Sequence, residues 1–424
     1  MSLIVAKFGG TSLATPERVQ SAAQRLVAYH DQGKQVLAVV SAMGSATDNL
    51  LALAKSVNSN PPARELDMLL ATGEQVSMSI VAMAIEALGV QAMSLTGLQA
   101  GILTTSAHNK ATIRELRCDH VRAALDEGRI VIVAGFQGVT QSGDITTLGR
   151  GGSDTTAVAL AVGLGAELCE IYTDVDGIYT CDPRVVPRAR KLKEISFEEM
   201  LELAASGSGV LQMRAVEFAR NFNVPLHCRS AFSNVSGTLV KEATMEQAVV
   251  SGIAFDKSEA KITVRNVPDQ LGIAAEVFGT ITETGVNVDL IVQNISEHGF
   301  TDISFTVPTG DLEKVVAVLD GLLIKLGASK YEINDSIAKV SIVGAGMKSN
   351  PGIAAKMFKV LADNGINISM ISTSAIRISV VIDESLVERA ANALHSAFGL
   401  DSTEVFEEIL LSPEEFAAKA NKGR

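Results

Sequence analysis

One motif occurs twice in the second half of the chain, and this repeat constrains the fold more than any other feature. Gly272-Ile273-Ala274-Ala275-x-x-Phe278, followed by Gly285-x-Asn287, returns eighty residues later as Gly352-Ile353-Ala354-Ala355-x-x-Phe358 and Gly365-x-Asn367. So long a period holds a complete supersecondary unit, so each copy builds a small module of its own. Each reads as strand, turn, helix, strand: residues 261–267 or 338–343, a Pro/Gly turn, an amphipathic helix, then 286–292 or 366–371. Strands at 302–307 and 377–382 and helices at 312–323 and 386–397 complete two α+β modules. Paired copies of one module beside a larger domain suit either ligand sensing or the pairing of chains.

Before about residue 245 the grammar differs. Short apolar runs at 36–40, 130–134 and 169–172 alternate with helical stretches such as 63–88 and 155–163. That alternation predicts a mainly parallel sheet sandwiched by helices, with ligand loops beyond the carboxyl ends of the strands. The expected division is one α/β domain over 1–245 and the two modules over 246–335 and 336–424. A net charge of −12 argues against a nucleic-acid partner. Cys118, Cys169, Cys181 and Cys228 contain no C-x-x-C pair, so no metal site or disulfide framework is indicated. Lys7 interrupts the apolar start and no run reaches membrane-spanning length, so neither a signal peptide nor a membrane partner is expected, and the cytoplasm is the expected location.

Two glycine-rich loops draw attention to anions. The apolar run 3–6 breaks into Lys7-Phe8-Gly9-Gly10-Thr11-Ser12. Glycines there let backbone N–H groups approach phosphate oxygens, and Lys7 adds a full positive charge. Thr15-Pro16-Glu17 then reads as the start of a helix. The second loop, Thr146-Thr147-Leu148-Gly149-Arg150-Gly151-Gly152-Ser153-Asp154-Thr155-Thr156, directly precedes a helix of small residues, Ala157-Val158-Ala159-Leu160-Ala161. A helix N-terminus favours negative charge, and Arg150 offers a planar fork for a carboxylate or phosphate. Asp154 fits either a functional role or a helix cap.

Glu74 interrupts the apolar stripe Leu70, Met78, Val81, Ile85 on one helix. It is either a stripe edge reaching solvent or a carboxylate awaiting a ligand ammonium group. Ser41-Ala42-Met43-Gly44-Ser45-Ala46-Thr47-Asp48 leaves a strand and enters a helix capped at Thr47 or Asp48. The acidic loop Tyr172-Thr173-Asp174-Val175-Asp176-Gly177-Ile178-Tyr179-Thr180-Cys181-Asp182-Pro183-Arg184 lacks EF-hand spacing and suits a nucleotide edge or a Mg·phosphate contact.

Taken together, KFGGTS at 7–12, VVSAMGSATD at 39–48, ATGEQ at 71–75, TLGRGGSDTTA at 147–157 and YTDVDGIYTCDPR at 172–184 resemble the aspartate kinase (aspartokinase) family. The resemblance spans essentially the entire chain. It implies an amino-acid kinase fold followed by two ACT (ferredoxin-like) domains. The implied activity is ATP-dependent phosphorylation of the aspartate side-chain carboxylate, the first step toward lysine, threonine and methionine, and toward diaminopimelate in bacteria.

By that resemblance, Lys7, Phe8, Gly9, Gly10, Ser41, Thr173, Asp174, Tyr179, Thr180, Cys181, Asp182, Pro183 and Arg184 bind ATP, with Mg²⁺ arriving on the nucleotide. Ser45, Ala46, Thr47, Asp48, Asn49, Glu74, Arg150, Gly151, Gly152 and Ser153 bind aspartate: Arg150 holds the α-carboxylate and Glu74 the α-ammonium group. Lys7 and Asp154 act on the reacting groups. Lysine, alone or with threonine, is the implied effector, held near Asp269, Gly272, Ile273, Ala274, Asn287, Gln293, Asn294, Ile295 and Asn367. Chains pair through the ACT modules, and Met245 is a position from which a separate regulatory subunit could start. Two departures stand out: Gly209 replaces a common lysine, and Ala375 a common glutamate.

Overall fold

The computed structural model describes residues 2–243, 249–294 and 299–401. Met245 and Ile295 lie outside the described residues. The chain divides into two compact units, the first holding residues 2–179, 191–205 and 209–243 and the second holding 180–190, 206–208 and the remainder.

The first unit contains strands β1 (Leu3–Phe8), β2 (Gln35–Val40), β3 (Ala92–Leu95), β4 (Ile102–Thr104), β5 (Ile113–Leu116), β6 (Ile130–Ala134), β7 (Gln137–Val139), β8 (Ile145–Thr147), β9 (Leu168–Thr173), β10 (Glu194–Ser196), β11 (Leu226–Ser230) and β12 (Thr238–Lys241). Its helices are α1 (Pro16–Asp31), α2 (Ala46–Val57), α3 (Ala63–Glu86), α4 (Asp119–Asp126), α5 (Gly152–Leu164), α6 (Phe197–Ala205) and α7 (Met213–Asn221). Eight strands form one sheet in the order β10-β12-β11-β9-β1-β2-β6-β3, and only the β11–β12 pairing is antiparallel. The central strands β1, β2, β6 and β9 are Val/Ile/Leu-rich and buried on both faces, as parallel strands between helix layers must be. A smaller sheet runs β5-β4-β7-β8.

Alternation along β1 decides what each face carries. Ala6 and Phe8 join the core under α1 and α3, where Phe8 stacks on Tyr172 with ring centroids 4.7 Å apart. Lys7 projects from the opposite face, and α5 packs against β1 and β9. Helix α3 is long and apolar enough to cross a membrane by length and composition, yet its Met78, Val81 and Ile85 are buried in the core against the sheet.

The second unit contains β13 (Gly252–Asp256), β14 (Glu259–Pro268), α8 (Ile273–Glu283), β15 (Ile291–Gln293), β16 (Phe300–Pro308), α9 (Leu312–Leu326), β17 (Lys330–Asn334), β18 (Ile337–Val343), α10 (Ile353–Asp363), β19 (Met370–Thr373), β20 (Arg377–Asp383) and α11 (Val387–Ala397). The repeat becomes two four-stranded antiparallel sheets, β15-β16-β14-β17 and β13-β18-β20-β19. Equivalent glycines cap α8 and α10 in the left-handed region, Gly272 at φ 88° and Gly352 at φ 94°.

Three features differ from the sequence reading. Strand β13, which the sequence division assigns to the first module, pairs with β18 in the second sheet, so the first module is inserted into the second. The strands expected at 286–292 and 366–371 begin late, at Ile291 and Met370, because Val286 and Ile366 enter the cores from irregular backbone. Residues 180–190 form a strap within the second unit, where Cys181 and Val186 join the apolar core and Thr180 bonds His395 across 2.9 Å. The two modules are tied by an ion cluster: buried Lys339 of β18 donates to Glu259 across 2.7 Å and also to Asp289.

Candidate active site

The carboxyl ends of β1 and β2, the α5 N-terminus and one face of α3 enclose a cavity of about 320 Å³. Lys7, Gly10, Ser41, Thr47, Glu74, Arg150, Gly151, Gly152, Ser153 and Asp154 line it, so both glycine loops open into the same space. Gly10 is required by close approach: a Cβ there would lie 2.7 Å from the Ala42 carbonyl oxygen.

Helix α5 starts at Gly152 with Gly151 as its N-cap at φ 71°, a conformation that favours glycine. Asp154 is therefore inside the first turn and is not the cap. Its Oδ1 lies 2.5 Å from Lys7 Nζ, and this pair sits on the cavity wall. The free N–H groups of the first turn add positive potential beside Lys7.

Glu74 is 3% exposed, so it is not a stripe edge reaching solvent. Its Oε1 accepts the Ala42 N–H across 3.0 Å, while Oε2 is buried with no hydrogen-bond partner. Burial pushes its carboxyl up to about 7, opposed by the Ala42 N–H. A half-satisfied buried carboxylate facing a cavity is arranged to receive a cationic donor. Arg150, exposed on the loop between β8 and α5, lines the same cavity.

Several other residues lie elsewhere. The Phe8 side chain is locked in the core on the sheet face opposite Lys7, so only its backbone is free to meet a ligand. Helix α2 begins at Ala46 with Ser45 as N-cap, two or three residues before the expected cap, and Asn49 N–H donates to the Ser45 carbonyl. Ser45, Ala46, Asp48 and Asn49 do not line the cavity; Thr47 does. Thr173 donates to Asp174 across 3.1 Å at the end of β9, and Tyr179 bridges to Lys191. The side chains of Thr180 and Cys181 are committed to the second unit's interior. There Arg184 pairs with Asp182 at 2.7 Å, holding that carboxyl below its usual range.

The sequence reading passed over Phe136 and Gln212, which complete the cavity wall, and Asp67, fully buried one turn before Leu70 on α3. Asp67 precedes Leu70 by three residues and so continues the stripe that drew attention to Glu74. In the second unit, Asn287, Gln293, Asn294 and Asn367 lie at or near the edge strands β15 and β19. Asp269 N–H donates to the Gly299 carbonyl, at the approach to Gly272, Ile273 and Ala274. Among the described residues no three His, Cys, Asp or Glu side chains gather into a metal-holding cluster.

Residues 2–230 match the amino acid kinase family model, and 262–322 and 340–398 match an ACT domain model. The chain is 54% identical over 407 residues to an aspartokinase of Mycolicibacterium smegmatis, covering 94% of this chain and 97% of that protein. Its fold is similar to E. coli aspartokinase III in complex with aspartate and ADP, with TM-score 0.80 and 27% identity over 93% of this chain and 99% of that one. The same enzyme in complex with lysine and aspartate gives TM-score 0.74 at 27% identity and the same coverage.

Proposed function

The chain belongs to the aspartokinase branch of the amino acid kinase family, and from that premise we propose how its own residues carry the reaction. It is an aspartate kinase, transferring the terminal phosphoryl group of ATP to the side-chain carboxylate of L-aspartate. Such a transfer demands alignment of two anions and neutralisation of their charge, with little covalent work for the protein.

Arg150 grips the α-carboxylate of aspartate and the free Oε2 of Glu74 accepts its α-ammonium group, leaving the side-chain carboxylate pointing at the nucleotide. Lys7, with the backbone of Gly9 and Gly10 and the first turn of α5, holds the terminal phosphate and the charge that develops on the moving phosphoryl group. Asp154 orients Lys7 across their 2.5 Å contact, and the hydroxyls of Ser41, Thr47 and Ser153 supply further donors. Thr173, Asp174 and Tyr179 hold the nucleotide. Mg²⁺ arrives with ATP and is held mainly by phosphate oxygens and water, which requires no dedicated carboxylate cage. When bound, it neutralises charge on the phosphates.

Lysine, alone or with threonine, inhibits through the ACT modules near Asp269, Gly272, Ile273, Ala274, Asn287, Gln293, Asn294 and Asn367, and two chains pair through those modules. A ligand-bound relative supports the lysine reading: E. coli aspartokinase III is described in complex with lysine in a T-state.

The observation that carries the assignment is the shared cavity, in which the Lys7–Asp154 pair, the half-satisfied Glu74 and Arg150 line one wall-to-wall space. A hydroxamate assay with aspartate, ATP and Mg²⁺, run with glutamate and N-acetylglutamate in parallel and with lysine and threonine added, tests it. Acyl phosphate should form from aspartate and fall when lysine is present. Preference for glutamate would overturn the substrate assignment, and indifference to both amino acids the regulatory one.

A further inference from the structure

Asp67 is fully buried on α3, seven residues before Glu74 and on the same helical face. It belongs to no part of the cavity wall, yet it is saturated with hydrogen bonds. Its Oδ1 accepts the Thr147 hydroxyl at 2.5 Å, both oxygens accept the Asn109 N–H at 3.1 Å, and Oδ2 lies 2.7 Å from His108 Nδ1. A buried carboxylate is costly to place, and an apolar residue would continue the stripe at lower cost.

What Asp67 grips is the stem of the loop that carries Arg150. Thr147 is the last residue of β8, three residues before Arg150, and its carbonyl accepts the Ala111 N–H across 3.0 Å. Asn109 is held at φ 64°, and its carbonyl oxygen comes within 3.0 Å of where a Cβ on Gly149 would stand. Arg214 clamps the same stem by donating to the carbonyls of Leu148 and Ala111 at 2.9 and 3.0 Å. The end of β8 and the turn at 108–111 packed beside it are therefore both pinned, one through the Thr147 hydroxyl and the other through the Asn109 amide, by a single carboxylate on α3.

We infer that Asp67 is a positioning residue for aspartate recognition, fixing the Arg150 loop relative to Glu74 so that one helix sets the spacing between the carboxylate-binding and ammonium-binding groups. The inference rests on the substrate roles given above to Arg150 and Glu74. Two turns of helix form a stiff spacer, and misplacing a binding group by about an ångström costs heavily in affinity and rate.

Steady-state kinetics of the full-length Asp67→Asn and Thr147→Val variants, with Glu74→Gln and Arg150→Gln measured alongside, test it. Asp67→Asn is expected to raise KM for aspartate about tenfold, the scale of one lost charge-assisted hydrogen bond, while KM for ATP stays within about twofold. Its preference for aspartate over glutamate narrows. Thr147→Val moves the same way by less, and the double variant is no worse than Asp67→Asn alone. Equal rises in both KM values, or an unchanged KM for aspartate, would overturn the inference. If Asp67→Asn does not fold, the isosteric Thr147→Val decides by the same split. Should Glu74→Gln and Arg150→Gln also leave KM for aspartate unchanged, the substrate reading falls and takes this inference with it. If those two raise it and the Asp67 and Thr147 variants do not, only the positioning role is lost.

Discussion

At the scale of single residues, the ammonium-binding role proposed for Glu74 comes at a cost in stability. Burial raises its carboxyl to about 7, above the ordinary 4.5, so the folded protein holds that proton more tightly than the unfolded chain. Between those values the native state binds more protons, and stability therefore falls as pH rises from about 4.5 through 7. Glu74→Gln removes this penalty and is expected to stabilise the ligand-free enzyme at pH 8 by up to about 3 kcal/mol, while changing little at pH 4.5. Thermal melts at the two pH values check it. The same substitution should raise KM for aspartate and abolish its rise on acidification through pH 7, because only the ionised group attracts an ammonium. Gly209 offers a second test: a Cβ there meets nothing within 4 Å, and its φ lies outside the left-handed region. Gly209→Lys is expected to lower KM for ATP several-fold with kcat for aspartate little changed, read from ATP titrations at saturating aspartate. Glu74 was legible because a carboxylate inside an apolar stripe is conspicuous. Asp67 lies in the same stripe, but its partners Asn109 and Thr147 come from a turn 42 residues away and a strand end 80 residues away, and no local pattern announces them.

At the scale of elements, α5 depends on how it begins. Gly151 at φ 71° lets the Arg150 loop turn into the helix, and a Cβ there would fall 2.2 Å from Gln212 Cγ. Gly151→Ala is therefore strained twice, by backbone and by contact, and should cost about 1–3 kcal/mol of stability. Because the strain falls between Arg150 and Asp154, turnover should drop more than far-UV ellipticity, and a variant with normal kcat would exclude this account. The alternation of strands and helices, the glycine loops and the eighty-residue repeat could all be read from the chain because each is a local pattern. The pairing of β13 with β18 was not, since a five-residue strand fits either sheet and the choice is made by packing between segments far apart. The strap at 180–190 was hidden likewise: its acidic start reads as part of a nucleotide loop, whereas Cys181 and Val186 are claimed by the second core.

At the scale of the whole molecule, the two modules leave equivalent edges open. Strands β15 and β19 terminate their sheets on one side, and Ile291 and Ile371, eighty residues apart, are 52% and 46% exposed. An apolar edge strand with unpaired backbone groups invites another strand, and a closed two-fold dimer satisfies both copies at once. The cluster of Lys339, Glu259 and Asp289 ties β14 and the segment before β15 to β18 of the other sheet. Placing lysines at both positions, Ile291→Lys with Ile371→Lys, adds four like charges at a dimer seam while leaving each module's core intact. If two chains pair through these edges as proposed, the variant sediments as a smaller species than the parent and loses inhibition by lysine. Basal turnover should persist, because every residue lining the catalytic cavity belongs to the first unit of a single chain. Analytical ultracentrifugation paired with the hydroxamate assay separates the outcomes. A monomer still inhibited by lysine would place the effector within one module; a persistent dimer would mean that these edges do not form the seam.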